Sequence, residues 1–228
     1  MRDTINNTTT IVSTNSDGEP ANDSSAQGII SADGNFLAFI SYATNLVPNI
    51  STQDGNVFVK NLQTGEVNIV SVDDNGNQQP ANYLYPSLSA DGRYVLFVAT
   101  NSPTKLDITK PDTTFTVYIR DTQTGTTRGV VSESNYAVLS ANGRYVAYDT
   151  VYRSGVTGQV FRYDLTTGEN IKVSVNDNGI EANYESYLPS ISADGRYITF
   201  TSVSNNLVND DTNENYDVFL HDTVTEQT

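Results

Sequence analysis

The chain has 228 residues, and 12 Lys and Arg against 27 Asp and Glu give a formal net charge of −15. This acidic balance argues against nucleic-acid binding, because a phosphate backbone would be repelled, and against docking to an anionic membrane. The chain contains no Cys, which removes disulfides and thiolate chemistry, and its apolar runs are too short to insert into a membrane. The polar residues are mainly Asn, Thr, Ser and Asp, which suit turns and strands, so we predict an all-β fold.

One phrase occurs four times along the chain, as SADGNFLAF from Ser31, SADGRYVLF from Ser89, SANGRYVAY from Ser140 and SADGRYITF from Ser192. Asp-Gly or Asn-Gly between two apolar runs is typical of a tight hairpin, because the primed turn needs positive φ at both central residues. Each copy is followed by a second apolar phrase containing Val-Phe or Val-Tyr, and a Thr-Gly pair marks another hairpin in three units. Repeated units of four antiparallel strands predict the blades of a β-propeller.

We expect the four blades to form one domain over residues 1–228. In chain order, the predicted boundaries are residues 5–14 for the outer strand of blade four, 28–73 for blade one, 86–133 for blade two, 136–176 for blade three and 187–225 for the inner strands of blade four. Residues 8 to 13, TTTIVS, match a fourth strand, whereas the last unit supplies only three strands. We therefore predict a four-bladed ring closed by the N-terminal strand, which would remove an exposed sheet edge. The alternatives are a fragment of a larger propeller and two chains that complete an eight-bladed ring.

The phrase SISADGRYITFTSVSNNLVNDDTNENYDVFLHDTVT, residues 190 to 225, resembles the repeat of bacterial TolB-like propellers, a group of WD-like repeats in exported and cell-surface proteins. The likeness recurs in all four units, although the TolB type has six repeats and an additional domain. The resemblance implies a periplasmic or extracellular location, while Met1-Arg2-Asp3 begins no signal peptide. Such propellers serve as scaffolds, adhesin domains, peptidase gates or pectin-fragment lyases, so the resemblance does not select one function.

A calcium site is predicted before the last strand. Its candidate ligands alternate as in the first half of an EF-hand-like loop, and they are Asp211, Asn213, Asn215 and Asp217. Tyr216 stands where that loop has its central Gly, and Asp222, at the place of the last ligand, recurs in the other units as a turn residue. The alternative is a solvated loop in which Asn and Asp bond their own backbone. A cation here would be structural, since it would offset the repulsion between the carboxylates.

Four tyrosines are candidate ligand-binding residues. They lie in NYLYP (82 to 86) and NYESYLP (183 to 189), just before innermost strands, and they are Tyr83, Tyr85, Tyr184 and Tyr187. This position places them near one mouth of the central channel, where Tyr beside Asn and Glu suits contact with carbohydrate or peptide. The alternative is that the rings pack between adjacent blades.

No catalytic residue is predicted. His221 is the only histidine, and its repeat equivalents Lys60, Arg120 and Tyr163 indicate a long, polar, outward-pointing position rather than a catalytic one. We therefore expect a non-catalytic binding or scaffold propeller that presents loops to a protein or glycan partner, as a monomer or homodimer. One alternative is a hydrolase or lyase with acids of shifted pKa at the channel mouth. The other is a structural module of a larger adhesin or a half-propeller that dimerises.

Overall fold

The structure is a computed structural model that describes residues 1–50, 55–101, 113–150, 157–209 and 211–228. These residues form strands, turns and irregular connections, so the prediction of an all-β fold is confirmed. In this part of the chain, no helix is long and apolar enough to cross a membrane.

The described ranges contain 17 strands, all paired antiparallel. A short N-terminal hairpin consists of β1 (Arg2–Asp3) and β2 (Thr8–Thr9). Sheet one consists of β3 (Ser25–Ile30), β4 (Phe36–Ser41), β5 (Asn56–Asn61) and β6 (Val67–Ile69). Sheet two consists of β7 (Asn82–Leu88), β8 (Tyr94–Thr100), β9 (Phe115–Asp121) and β10 (Thr126–Ser132). Sheet three consists of β11 (Tyr136–Leu139), β12 (Tyr145–Asp149), β13 (Val160–Asp164) and β14 (Asn170–Lys172). Sheet four consists of β15 (Ser186–Ile191), β16 (Tyr197–Ser202) and β17 (Asp217–Asp222).

The repeated phrase forms the same turn in each of these four sheets. In sheet one, Ser31 Oγ donates to Asp33 Oδ1 and accepts from the N–H of Phe36, and Gly34 adopts φ +76°. Asx-Gly turns of this kind join the first two strands of every sheet because a short polar side chain caps the turn and Gly tolerates positive φ. The acids of the phrase are therefore turn residues, as predicted. The turn is not of the primed type, however, because Gly34 has positive φ and Asp33 does not; instead the N–H of Gly34 donates to the carbonyl of Ser31.

Arg-Asp pairs fasten three of these turns to the end of the third strand. The pairs are Arg93–Asp121, Arg144–Asp164 and Arg196–Asp222. Hydrogen bonding to Arg93 lowers the pKa of Asp121 to about 2, and Asp121 also accepts from the N–H groups of Gln123 and Thr124. One carboxylate thus connects two hairpins of the same sheet.

The four sheets pack face to face in chain order. Separate apolar clusters join sheets one and two, sheets two and three, and sheets three and four. The turn glycine of each later sheet lies against an aromatic ring of the preceding one: a Cβ on Gly143 would lie 2.7 Å from Tyr94 Cδ2. Among the described residues, no apolar cluster joins sheet four to sheet one. The described part of the chain is therefore a series of propeller-like sheets that pack in chain order.

The predicted closing pair is not present among the described strand pairs. Residues 2–9 pair with each other as β1 and β2, where the Asp3 carboxylate caps the turn by accepting from the N–H groups of Ile5 and Asn6. The segment that follows nevertheless resembles the end of a fourth strand: its bridge between Thr14 and Pro20 has counterparts at Val72–Gln78 and Val175–Glu181. Pairing between residues that are close in sequence closes only a short loop and so costs little conformational entropy. This explains why the local hairpin forms here instead of a long-range strand pair.

The repeat position of His221 is buried, so the prediction that it points outward is wrong. His221 is 3% exposed and its Nδ1 bonds Thr228 Oγ1, while Lys60 is 8% exposed and donates to the carbonyl of Thr14. Burial lowers the pKa of both His221 and Lys60. Lys60 and Arg120 donate to backbone carbonyls of the preceding unit, at Thr14 and Val72. His221 instead bonds Thr228, whose hydroxyl donates to the carbonyl of Val175 in the preceding unit. The position therefore accepts polar side chains that find a hydrogen-bond partner at their tip.

Candidate functional site

A cavity of about 410 Å³ lies where the innermost strands of sheets two, three and four meet. Its described lining consists of Tyr85, Asn135, Tyr136, Asp149, Thr150, Gly158, Glu185, Ser186, Tyr187 and Leu188. Residues 151–156, between Thr150 and Gly158, lie outside the described residues. Two of the four predicted tyrosines, Tyr85 and Tyr187, therefore lie together, and the structure adds a third ring, Tyr136. The rings of Tyr85 and Tyr136 are 5.1 Å apart in an edge-to-face arrangement.

Bulges in the innermost strands shape this cavity. The pairing of β7 with β8 shifts between Leu84 and Ser87, and Tyr85 in that bulge has φ +50°. The pairing of β15 with β16 shifts in the same way, and Leu188 has φ +51°. A bulged residue leaves the ladder, so its N–H is free to bond elsewhere: the N–H of Tyr85 donates to Gln27 Oε1 at 2.7 Å. Positive φ at a large non-glycine residue is strained, and such strain clusters at functional sites.

Asp149 is the buried acid of the cavity. It is 4% exposed at the end of β12, and its Oδ2 accepts from the N–H of Leu188 at 3.0 Å. Its Oδ1 is also buried and has no hydrogen-bond partner among the described residues. Burial is the main cause that raises the pKa of Asp149 to about 6. The repeat places Ile40, Val98 and Thr201 at the equivalent positions, so a carboxylate stands here where two units have an apolar core residue and one has Thr.

The rest of the lining adds negative charge. Glu185 lines the cavity, and its Oε1 accepts from the hydroxyl of Tyr216 at 2.7 Å. The ring of Tyr216 lies 5.8 Å from that of Tyr187, edge to face. Within the described residues that line the cavity, Asp149 and Glu185 are the charged ones and neither Lys, Arg nor His contributes. The cavity therefore combines aromatic walls with carboxylates.

The other two predicted tyrosines lie elsewhere. Tyr83 is 6% exposed in the cluster between sheets one and two, and its hydroxyl donates to the carbonyl of Gln79. Tyr184 is 54% exposed and is not part of the cavity lining. Tyr83 therefore packs between adjacent sheets, which is the alternative given above. The bulge at Tyr85 breaks the alternation of side chains that would otherwise place both rings on the same face of β7.

Tyr136 and Asp149 are not among the residues predicted from the sequence, although the repeats carry a signal for both. Tyr136 precedes Ser140 by four residues, just as Tyr85 precedes Ser89. Asp149 is the last residue of the run YVAYD, and the corresponding residue of two other units is Ile or Val. An acid at an apolar repeat position indicates a functional or strained site.

A larger cavity of about 740 Å³ lies between sheets one and two, beside Tyr83 and Asp73. In sheets one and four, the loops after the second strand place Leu46 and Leu207 into apolar clusters. The corresponding loop of sheet two falls in residues 102–112, outside the described residues. We therefore assign no function to this cavity.

The predicted calcium loop borders the tyrosine-lined cavity through Tyr216. Asn213 Nδ2 donates to Asp217 Oδ2 at 3.0 Å, and the N–H of Asn215 donates to Asn213 Oδ1 at 2.7 Å. Asp211 Oδ1 is buried and has no hydrogen-bond partner among the described residues. Three of the four predicted ligands thus lie in the loop before β17 and Asp217 is the first residue of that strand. Asn213 bonds both Asn215 and Asp217. In the described part of the chain, no group of three or more His, Cys, Asp or Glu is arranged to hold a metal ion.

No protein-family model matches the sequence, and comparison with curated proteins gives no match. Solved structures match it well. TolB from Acinetobacter baumannii is 18% identical with a TM-score of 0.55, and the match covers 90% of this chain and 42% of that one. The β-propeller domain of the trilobed protease from Pyrococcus furiosus, described as having an open velcro topology, is 10% identical with a TM-score of 0.54 and coverages of 87% and 54%. Acylaminoacyl peptidase from Pyrococcus horikoshii is 15% identical with a TM-score of 0.54 and coverages of 87% and 31%.

The chain thus spans about half or less of each of these structures. Sequence identities this low indicate a shared fold but do not indicate a shared activity. The expectation of a TolB-like fold is confirmed: the protein has the fold of TolB-like β-propellers.

Proposed function

We propose that this protein is a non-catalytic binding propeller, and that the tyrosine-lined cavity accepts a group of a protein or glycan partner. One observation carries the proposal: the rings of Tyr85, Tyr136 and Tyr187 line one cavity together with a buried carboxylate. Aromatic walls with a few polar groups are typical of ligand sites, and a cavity of this size suits a side chain or a sugar unit. The TolB-like resemblance supports an exported protein in the periplasm or outside the cell.

The proposal is tested by binding to an array of glycans and peptides, with variants that differ in one ring. Tyr136→Ala and Tyr187→Ala should each weaken any specific signal at least tenfold, because each removes a wall of the cavity. Tyr184→Ala is the matched control, since Tyr184 is exposed outside the cavity. Equal losses in all three variants, or no specific signal for the wild type, would refute the proposal.

A second candidate function is a hydrolase or lyase that uses the same cavity. The raised pKa of Asp149 favours it, because an acid near neutral pKa can donate and accept a proton, and Glu185 supplies a second carboxyl group in the lining. Turnover of a bound glycan or peptide that disappears in Asp149→Asn would support this candidate over a binding role.

We further propose that residues 8 to 13 complete sheet four, within one chain or between two copies. In the described residues, β17 pairs with β16 along its length, and its other edge pairs only at Asp222, with Gln227. Val218 and Leu220 on β17 are 74% and 51% exposed. An open apolar edge strand favours pairing with another strand. Deleting residues 2–13 should change the solution mass of a dimer or lower the stability of a monomer, and Leu220→Lys should do the same. Val224→Lys, on the adjacent turn, is the control.

We also propose a structural calcium ion in the loop of Asp211, Asn213, Asn215 and Asp217. The buried and unpartnered Oδ1 of Asp211 supports it, since oxygen ligands without a hydrogen-bond donor favour a hard cation. Calcium should raise the melting temperature of the wild type relative to chelator, and Asp211→Asn should abolish the difference whereas Asp17→Asn should not. A melting curve that is the same in calcium and in chelator would refute it.

A further inference from the structure

The unpartnered oxygen of Asp149 indicates what the cavity binds. One oxygen of this carboxylate accepts from the N–H of Leu188. The other is buried and has no donor in hydrogen-bonding geometry among the described residues, although the backbone N–H groups of Tyr136 and Asp149 lie close enough to lower the pKa of the carboxyl group. A buried carboxylate oxygen without a hydrogen bond is unfavourable, so such groups normally have a partner in protein, water or ligand. The equivalent residues Ile40 and Val98 show that the fold itself does not require an acid here. The carboxylate therefore calls for a donor from outside the described residues.

The walls around Asp149 favour a positively charged donor. The faces of the rings of Tyr85, Tyr136 and Tyr187 carry the negative part of an aromatic quadrupole, which attracts cations. Glu185 adds a second carboxyl group. An anionic ligand would have to approach both acids without a basic residue among the described lining, and repulsion would oppose it.

The residues beside the cavity are acidic, like the two carboxylates in its lining. Tyr216 joins Glu185 and Tyr187 to the loop of residues 211 to 217, which carries Asp211, Glu214 and Asp217. Together with the net charge of −15, this acidic border would attract a basic segment of a partner and raise its rate of association.

We propose that the cavity binds a protonated nitrogen, presented as the Lys or Arg side chain of a partner peptide, with Asp149 Oδ1 as its acceptor. This inference rests on the proposed binding function and names the ligand class of the same site. The alkyl part of the side chain packs against the tyrosine rings, and the ammonium or guanidinium group donates to the free oxygen of Asp149. The N–H of Leu188 donates to the other oxygen and so fixes the orientation of the carboxylate.

The test uses small probes of matched shape on the full chain. N-acetyl-arginine amide and N-acetyl-lysine amide are titrated by calorimetry or NMR, and N-acetyl-citrulline amide serves as the neutral counterpart of arginine. We expect at least one cationic probe to bind at least tenfold more tightly than the citrulline probe. Asp149→Asn should weaken that binding at least tenfold, while Asp17→Asn, which removes the same charge on an exposed loop, should leave it within twofold.

A pH series checks the protonation state on which the proposal depends. The titratable groups facing Asp149 from the neighbouring elements are Tyr85 on β7, Tyr136 on β11, and Glu185 and Tyr187 at the start of β15. Affinity for the cationic probe should fall as the pH drops below about 6, because protonation of Asp149 removes the acceptor charge. Circular dichroism of each variant establishes that a loss of binding is not a loss of folding.

Equal binding of the citrulline and arginine probes, unchanged binding in Asp149→Asn, or no binding of either cationic probe to the wild type would each overturn the proposal. These results leave the proposed function standing if the wild type gives an array signal that Tyr187→Ala removes. Failure on the array together with failure of the probes refutes both.

Discussion

Replacing Asp149 by Asn should change how the stability of the protein depends on pH. Asn keeps an oxygen that can accept from the N–H of Leu188, and it removes the buried charge. The pKa of Asp149 is about 6 in the folded protein against an ordinary value of 3.8, so the folded state binds this proton more tightly than the unfolded state. Its contribution to stability is therefore fully present below 3.8 and is lost as the pH rises through about 6.

The size of the effect follows from the difference between the two pKa values. A shift of this size corresponds to about 3 kcal/mol in total, of which about 2 kcal/mol is lost between about pH 4.5 and about pH 7. The difference in unfolding free energy, Asp149→Asn minus wild type, should thus grow by about 2 kcal/mol over that interval. Carboxylates such as Asp121, whose pKa is lowered, contribute oppositely but equally in both proteins, so they cancel in this difference.

Urea unfolding at several pH values measures the quantity directly, provided that both proteins unfold in one cooperative step with similar slopes. Asp17→Asn is the control, since its side chain is exposed and its pH dependence should follow that of the wild type. If the difference between Asp149→Asn and the wild type stays constant within about 0.5 kcal/mol across the interval, Asp149 is not the desolvated acid that the structure indicates.

Two further predictions concern the repeated contacts of the fold. Gly143→Ala should lower the unfolding free energy by about 2–4 kcal/mol, because the new Cβ meets Tyr94 and the residue has φ +72°, whereas Gly34→Ala, with φ +76° and no heavy atom within 4 Å, should lower it by only about 1 kcal/mol. Equal losses on urea unfolding would contradict the packing of turn glycines against the preceding sheet. Asp121→Asn should lose about 1–2 kcal/mol by breaking the pair with Arg93. Because the pKa of Asp121 falls from 3.8 to about 2, this loss should fade as the pH drops from about 4 towards 2, and a loss that persists in acid would contradict the ion pair.

The sequence predicts the hairpins well because their determinants are local. The phrase from Ser31 carries both the cap and the glycine of its turn, and the structure contains the same turn in each unit. Periodicity also locates the start of each innermost strand, which is why Tyr85 and Tyr187 were identified as candidates.

The composition of the cavity depends on contacts between units. A bulge at Tyr85 breaks the alternation of side chains along β7, so the directions of Tyr83 and Tyr85 cannot be read from a period of two. Asp149 is far in sequence from Tyr85 and Leu188, and only the packing of sheets two, three and four brings them together.

The sequence by itself determined the all-β character, the four repeated units and the turn chemistry, since these depend on residues a few positions apart. Tertiary structure alone decided which tyrosines share a cavity, that Asp149 is buried, and that His221 is buried against Thr228. It also decided the pairing of the first residues, where a local hairpin forms in place of the closing strand. Each of these outcomes rests on burial and long-range pairing, whose free energies depend on distant residues.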